Sequence, residues 1–160
     1  MKVSVVMGSA SDKPIGDKVI KVLEEFGVDN ELRVISAHRT PYVAKEFAES
    51  AEEKGTEVIV AIAGKAAHLA GVLAGISPLP VIGVPAKSST MDGLDSLLSV
   101  VQMPKGVPVA TVAIDGGENA GLLAVQILSV KYPELREKFK AYKVRMAEET
   151  IKADEELNQK

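Results

Sequence analysis

The two histidines of this 160-residue chain stand close to cationic side chains. His38 is followed by Arg39 in the segment SAHRTP, and His68 comes three residues after Lys65. Imidazole has an ordinary pKa near neutrality, and a guanidinium group donates two parallel hydrogen bonds to a phosphate or a carboxylate. The pattern therefore favours proton transfer beside a bound anion. Each residue also has a structural alternative: His38 could be a hydrogen-bonded structural residue, His68 a helix cap, and Arg39 a member of a surface ion pair.

A hydroxyl-rich segment near the N-terminus, GSASD, is the second candidate for ligand binding. Ser9 and Ser11 offer hydroxyls and amides to a phosphate, and Asp12 can accept hydrogen bonds from the hydroxyls of a sugar. Ser36 adds another hydroxyl two residues before the first histidine. Because Ser11 or Asp12 is equally suited to cap the first helix, this segment alone leaves phosphate binding and helix capping open.

The elements that must position these residues follow a regular alternation. Short runs rich in valine and isoleucine, apolar on both faces, predict strands of a parallel sheet that helices cover on both sides. Helical spacing between the runs, ended by Gly27 in the first case, predicts the covering helices. The chain is therefore expected to form a three-layer αβα sandwich of flavodoxin-like type with a five-stranded parallel sheet. The predicted strands span residues 3–7, 32–35, 58–62, 81–84 and 109–114.

The candidate residues all follow predicted strands. In open parallel α/β sheets, ligands bind outside the carboxyl ends of the strands, so these side chains are expected at one edge of the sheet. The set comprises Ser9, Ser11, Asp12, Ser36, His38, Arg39, Lys65, Ala66 and His68.

Two other activities of this fold class fit poorly. A phosphoacceptor receiver domain needs an aspartate after the third strand, where this chain has Ala63 and Gly64. A flavin site usually has aromatic side chains beside the ring, whereas aromatic residues make up 4% of this chain and tryptophan is absent.

Composition excludes further classes of function. A formal charge of −3 provides no excess of lysine and arginine for nucleic acid or for an anionic membrane. The absence of cysteine excludes disulfides, a thiolate nucleophile and a cysteine-type zinc site. No apolar run approaches the ~20 residues of a membrane span, and the N-terminus does not resemble a signal peptide. The expected location is the cytoplasm.

The chain is expected to form one domain over residues 1–160, with 133–160 as a charged helical extension. Leu135, Phe139, Tyr142 and Met146 recur at intervals of four, three and four residues, a stripe too narrow for a core helix. By pattern alone, this helix lies either on its own domain or on a neighbouring subunit.

Five segments carry a resemblance to a known family. They are GSASD, SAHRTP, AGKAAHLAG, GLDSLLSVVQMPKGVPVATVAI and ENAGLLAVQIL, which begin at positions 8, 36, 63, 93 and 118. Together they resemble the class I N5-carboxyaminoimidazole ribonucleotide mutases of purine biosynthesis. The similarity runs through nearly the whole chain, in the same order and spacing, so it is far more specific than any single loop.

The resemblance implies an isomerase that moves a carboxylate from the exocyclic nitrogen of the nucleotide to carbon four of the imidazole ring. It implies neither a metal nor an organic cofactor. It also implies a homo-octamer with active sites between subunits, in which the C-terminal helix packs on a neighbouring subunit.

The resemblance also assigns roles by position. Ser9, Asp12 and Arg39 match the family's substrate-binding residues, with Ser11 and Ser36 close by. His38 matches the general acid and base. The segment AAHL, which contains Ala66 and His68, matches the loop that closes over the base and the carboxylate.

Two positions depart from the family pattern. Lys65 stands where class I members usually have glycine or another small residue, and Ala70 stands where proline is usual. A basic residue at the first position is similar to the class II relatives, which carboxylate aminoimidazole ribonucleotide directly with carbon dioxide. Those relatives lack the AAHL pattern and more often read SAHK than SAHR. Direct carboxylation is therefore the second hypothesis, and a nucleotide-binding module without turnover is the third. Under the mutase hypothesis, Lys65 binds the substrate carboxylate or forms an ion pair between subunits.

Overall fold

A five-stranded parallel sheet forms the middle layer of the computed structural model, which describes residues 1–158. The strands are ordered β2-β1-β3-β4-β5, the flavodoxin-like order, so the predicted fold class is confirmed. Their bounds are β1 (Lys2–Met7), β2 (Asp29–Val34), β3 (Val58–Gly64), β4 (Val81–Ala86) and β5 (Ala110–Thr111).

Helices cover both faces of the sheet. Buried side chains alternate along the strands: Val3, Val5 and Met7 of β1 face one apolar cluster, and Val6 faces the other. The helices are α1 (Lys13–Phe26), α2 (Pro41–Ser50), α3 (Leu69–Ile76), α4 (Leu94–Val101), α5 (Gly117–Leu128) and α6 (Pro133–Asn158). The first cluster contains residues of α1, α5 and α6, and the second contains residues of α2, α3 and α4.

The two edge strands differ from their predicted extents. β2 begins three residues earlier than predicted and is polar in its first half, because it pairs on one side only. Its Glu31 accepts hydrogen bonds from Lys2 (2.8 Å) and from the Ser4 hydroxyl (2.7 Å). β5 has only two residues, since beyond Thr111 the chain makes isolated bonds to β4 instead of a regular ladder.

Two glycines fix the end of helix α1 and the position of helix α4. Gly27 ends α1 with a φ of 73°, as its position in the sequence predicts. At Gly83 of β4, an added Cβ would lie 2.3 Å from Val100 of α4, so a larger residue would displace that helix. Helix α4 is therefore held directly against the strand that leads into the site.

The C-terminal helix α6 packs on the core in its first part and is exposed in its second part. Leu135 is fully buried in the core, and the rings of Phe139 and Tyr142 lie 6.0 and 5.8 Å from the ring of Phe26. The expectation that this stripe is too narrow for the core is therefore wrong at Leu135, because the start of α6 packs into the buried cluster that also contains Phe26 of α1. Every residue from 143 to 158 is exposed. Packing on a neighbouring subunit remains a prediction for that distal half.

Within residues 1–158, no helix has both the length and the apolar character that crossing a membrane requires.

Candidate active site

A cavity of about 670 Å³ opens at the carboxyl ends of β1 to β4. The structure brings every predicted site residue into its wall, because parallel strands present their carboxyl ends at one edge. The lining residues include Ser9, Ser11, Asp12, Ser36, His38, Arg39, Lys65, Ala66 and His68.

The turn after β1 presents a compact set of polar groups. Ser9 caps a short 3-10 helix at Ala10–Asp12: its hydroxyl accepts from the Ser11 amide, and its own amide donates to Asp12 at 3.2 Å. The Ser11 hydroxyl donates to the Ser9 hydroxyl at 2.8 Å. Asp12 precedes α1 but forms no capping hydrogen bond with it. The alternative that Ser11 or Asp12 caps the first helix is therefore wrong, because the capping residue is Ser9 and it caps the short 3-10 turn. Both Ser9 and Ser11 line the cavity.

Arg39 spans the ends of β1 and β2. Its Nη2 donates to the Gly8 carbonyl at 2.9 Å, and its Nε donates to the Ser36 hydroxyl at 3.3 Å. The Ser36 hydroxyl also accepts from the Arg39 amide at 3.2 Å. Within residues 1–158 the guanidinium forms no ion pair with a carboxylate. The side chain is therefore fixed beside the serines with its charge available to an anion.

The two histidines contact each other across the cavity. His38 Nε2 lies 3.0 Å from His68 Nδ1, and the ring planes are nearly perpendicular at 83°. One nitrogen must donate and the other accept, so the contact couples the tautomers of the two neutral rings. His68 stands at the start of α3 without a side-chain capping bond, which removes the helix-cap explanation for this residue.

Asp12 has an altered electrostatic environment. Burial raises the pKa of its carboxyl above the ordinary value, and the nearby Asp115 adds to that effect. The hydrogen bond from the Ser9 amide, the neighbouring Ser11 side chain and the positive charge of Arg39 lower the pKa without cancelling the effect of burial. Asp12 therefore takes up a proton at a higher pH than an exposed aspartate does.

The segment after β4 completes the wall. Lys87, Ser88 and Ser89 line the cavity although they were not among the predicted site residues. The Lys87 amide donates to Asp115 at 2.8 Å, and its ammonium pairs with Asp92 at 2.8 Å. Only the position of these three residues after the buried strand β4 indicates that they belong to the site, because the sequence KSS matches no binding motif.

The sequence model of the family described as "AIR carboxylase" matches residues 2–149. The chain belongs to the AIR carboxylase family. Among its relatives in that family is the N5-carboxyaminoimidazole ribonucleotide mutase of Pyrococcus abyssi, with 62% identity over 142 residues, covering 89% of this chain and 82% of that protein. The corresponding mutase of Thermotoga maritima is 56% identical over 158 residues, covering 99% and 92%.

A solved structure supports the same family at the level of the fold. The crystal structure of PurE from Treponema denticola superposes with a TM-score of 0.90 at 29% identity, covering 99% of each chain. The superposition includes the strands that form the cavity, so the AIR carboxylase fold accounts for the whole described chain.

Proposed function

We propose that this protein is an N5-carboxyaminoimidazole ribonucleotide mutase that acts in purine biosynthesis. The observation that carries this proposal is the 62% identity to the Pyrococcus abyssi mutase over 89% of the chain. The cavity supports it, because the strand ends place an imidazole pair beside hydroxyls and a guanidinium, as an anionic substrate that exchanges protons requires.

The nucleotide is held at the ends of β1 and β2. The phosphate accepts hydrogen bonds from the hydroxyls of Ser9, Ser11 and Ser36, and the guanidinium of Arg39 supplies a positive charge beside it. Arg39 already bonds to Gly8 and Ser36, so little side-chain entropy is lost when the phosphate binds. The carboxylate of Asp12 accepts hydrogen bonds from the ribose hydroxyls.

His38 transfers the protons of both half-reactions. As the N–C bond of the carbamate breaks, its electron pair remains on nitrogen, and His38 donates a proton there. Carbon four of the ring then attacks the released carbon dioxide, and the proton at that carbon returns to His38. The cycle balances, because one proton leaves the imidazole and one comes back. His68 keeps the His38 ring oriented through the 3.0 Å contact. The loop that contains Ala66 and His68 encloses the carbon dioxide beside the imidazole ring of the substrate.

Parallel assays test this function. Purified protein is supplied with N5-carboxyaminoimidazole ribonucleotide, or with aminoimidazole ribonucleotide and bicarbonate, while the carboxylated product is followed. The expected result is rapid conversion of the first substrate and slow conversion of the second, only at high bicarbonate. Efficient use of the second substrate with no turnover of the first would identify a direct carboxylase. No turnover with either would leave a binding module.

The raised pKa of Asp12 predicts a pH effect on nucleotide binding. The ionised carboxyl of Asp12 accepts hydrogen bonds from the ribose hydroxyls better than the protonated form does. The affinity for the nucleotide should therefore fall as the pH decreases through that raised pKa. Asp12→Ala should weaken binding of aminoimidazole ribonucleotide by about 10-fold, the loss of one charge-assisted hydrogen bond. Calorimetric titration of wild-type protein and of Asp12→Ala with aminoimidazole ribonucleotide, between pH 7.5 and pH 4.5, measures both the pH dependence and the loss of affinity.

Asp12→Asn separates this effect from titration of the substrate. The phosphate of the nucleotide, with a second pKa of about 6, titrates alike with both proteins. The pH dependence that remains in wild-type protein and is lost in Asp12→Asn belongs to the carboxyl group. Identical pH profiles, or unchanged affinity in Asp12→Ala, would refute the assignment of Asp12 to the ribose.

The proposed enzyme is a cytoplasmic homo-octamer with one domain per chain over residues 1–160. An exposed apolar row supports assembly, and we name it the α4 surface. Its exposed fractions are 44% at Leu94, 46% at Leu98 and 47% at Val101, with Met91 at 62% just before the helix. Such contiguous apolar exposure is typical of a protein interface. The exposed distal half of α6 provides a second surface for a neighbouring subunit.

A further inference from the structure

Lys65 adopts a backbone conformation that its side chain disfavours. Its φ is 55°, in the left-handed region, at the point where β3 ends and the loop to His68 begins. A side chain with a Cβ is strained there, whereas glycine is not. Non-glycine residues in this region concentrate at functional sites, where the surrounding structure holds them. The lysine side chain must therefore provide something that glycine would not.

The loop around Lys65 fixes that backbone. The Lys65 carbonyl accepts from the Ala67 amide at 2.8 Å, and the Ala66 carbonyl accepts from the His68 amide at 2.8 Å. The Ser99 hydroxyl of α4 approaches the Lys65 carbonyl at 3.5 Å. These contacts involve only main-chain atoms of residues 65–68, so they leave the ammonium group of Lys65 free to reach a ligand.

Three cationic side chains line the cavity, and two of them already contact protein acceptors. Arg39 donates to Gly8 and Ser36, and Lys87 pairs with Asp92. Across residues 1–158, the Lys65 ammonium has no carboxylate within ion-pair distance and no hydrogen-bond acceptor. Among the described residues, neither Arg39 nor Lys65 has a carboxylate partner, and the Lys65 ammonium also lacks the neutral acceptors that hold Arg39 in place.

Lys65 follows a different strand from the residues of the proposed phosphate site. The serines and Arg39 follow β1 and β2, whereas Lys65 follows β3, the strand between β1 and β4. Lys65 also lies three residues from His68, which contacts His38. A nucleotide with its phosphate at Arg39 and its base at the histidines would direct a second anionic group toward Lys65.

We propose that Lys65 is a specificity-determining residue that pairs with the carboxylate carried by the imidazole ring. This inference rests on the proposed function, because it assumes a carboxylated ribonucleotide as ligand. Lys65 then distinguishes carboxylated nucleotides from aminoimidazole ribonucleotide, which has the same phosphate and ribose but no carboxylate. Its ammonium group strengthens binding of substrate and product alike.

Three variants separate charge from backbone strain. Lys65→Met retains the long stem and removes the charge, Lys65→Arg retains a charge, and Lys65→Gly removes both the charge and the strain. Calorimetry measures binding of 4-carboxyaminoimidazole ribonucleotide and of aminoimidazole ribonucleotide to each. The expected result for Lys65→Met and Lys65→Gly is about 10-fold weaker binding of the first ligand and less than 2-fold change for the second. Lys65→Arg should stay within about 3-fold of wild type, and Lys65→Gly should melt at a higher temperature than Lys65→Met.

Two results would overturn the proposal. One is unchanged binding of the carboxylated nucleotide in Lys65→Met. The other is equal weakening for both ligands, which would place Lys65 near the phosphate they share. Because the readout is binding, it does not require turnover. If wild-type protein lacks mutase activity yet binds the carboxylated ligand in a Lys65-dependent manner, the proposed function fails while the inference holds.

Discussion

Replacement of His38 by asparagine should lower kcat by about 10³-fold, since general acid–base catalysis typically contributes 10²–10⁴-fold. Asparagine is similar in size to histidine and can still form a hydrogen bond with His68, but it cannot transfer a proton at neutral pH. The ring contact involves only exposed atoms, so the fold should be unaffected. The initial rate with N5-carboxyaminoimidazole ribonucleotide measures the loss of turnover.

Ligand binding and melting serve as controls for this variant. His38→Asn should bind aminoimidazole ribonucleotide within a few-fold of wild type, because the phosphate and ribose contacts lie elsewhere, and should show the same cooperative melting. Expression in a host without its own mutase removes contaminating activity. Activity near the wild-type level would show that another group transfers the protons. Loss of cooperative melting would instead establish a structural role for His38.

The fold was predictable from the sequence where burial is symmetric. Strands β1, β3 and β4 have helices on both faces, so apolar residues run along most of their length, interrupted in β1 by the buried Ser4, and indicate their positions closely. The edge strands were less predictable. The first half of β2 is polar, because one side of the strand has no partner and its side chains meet solvent or ion pairs. The apolar run at 109–114 continues beyond β5, because its residues pack without forming a regular ladder.

The membership of the cavity wall was also predictable, since topology alone brings the strand ends together. The contact between His38 and His68 was not, because it joins residues thirty positions apart and depends on the rotamers of two exposed rings. The left-handed backbone at Lys65 was equally hidden, since lysine gives no sequence signal for a positive φ as glycine does. Asp12 could be proposed as a ligand for ribose, but its raised pKa depends on burial and on Asp115, which is distant in sequence.

A single charge on the α4 surface should dissociate the proposed oligomer. Leu98 lies near the middle of that surface, with Leu94 and Val101 one turn away on either side. Leu98 is already about half covered in the single chain, so replacing it with glutamate removes roughly half of the ~1.5–3 kcal/mol that full burial of a leucine contributes. It also places a charge in an apolar contact, a penalty that recurs in every subunit. Leu98 is 46% exposed in the single chain, so the fold of one subunit should tolerate the change. Sedimentation velocity of wild-type protein should give the mass of eight subunits, and Leu98→Glu a smaller mass.

Val130→Glu is the matched control, because Val130 is a 78% exposed apolar residue outside the α4 surface. It should leave the sedimenting mass unchanged. Dissociation should also weaken catalysis, since α4 contacts the cavity wall directly: the Ser88 hydroxyl donates to Asp95 at 3.0 Å, and Ser99 approaches the Lys65 carbonyl. The value of kcat/KM should therefore fall in Leu98→Glu and not in Val130→Glu. A monomeric wild-type protein would refute the oligomer, whereas an intact octamer in Leu98→Glu would place the interface elsewhere. A smaller mass with unchanged kcat/KM would show that each subunit completes its own active site.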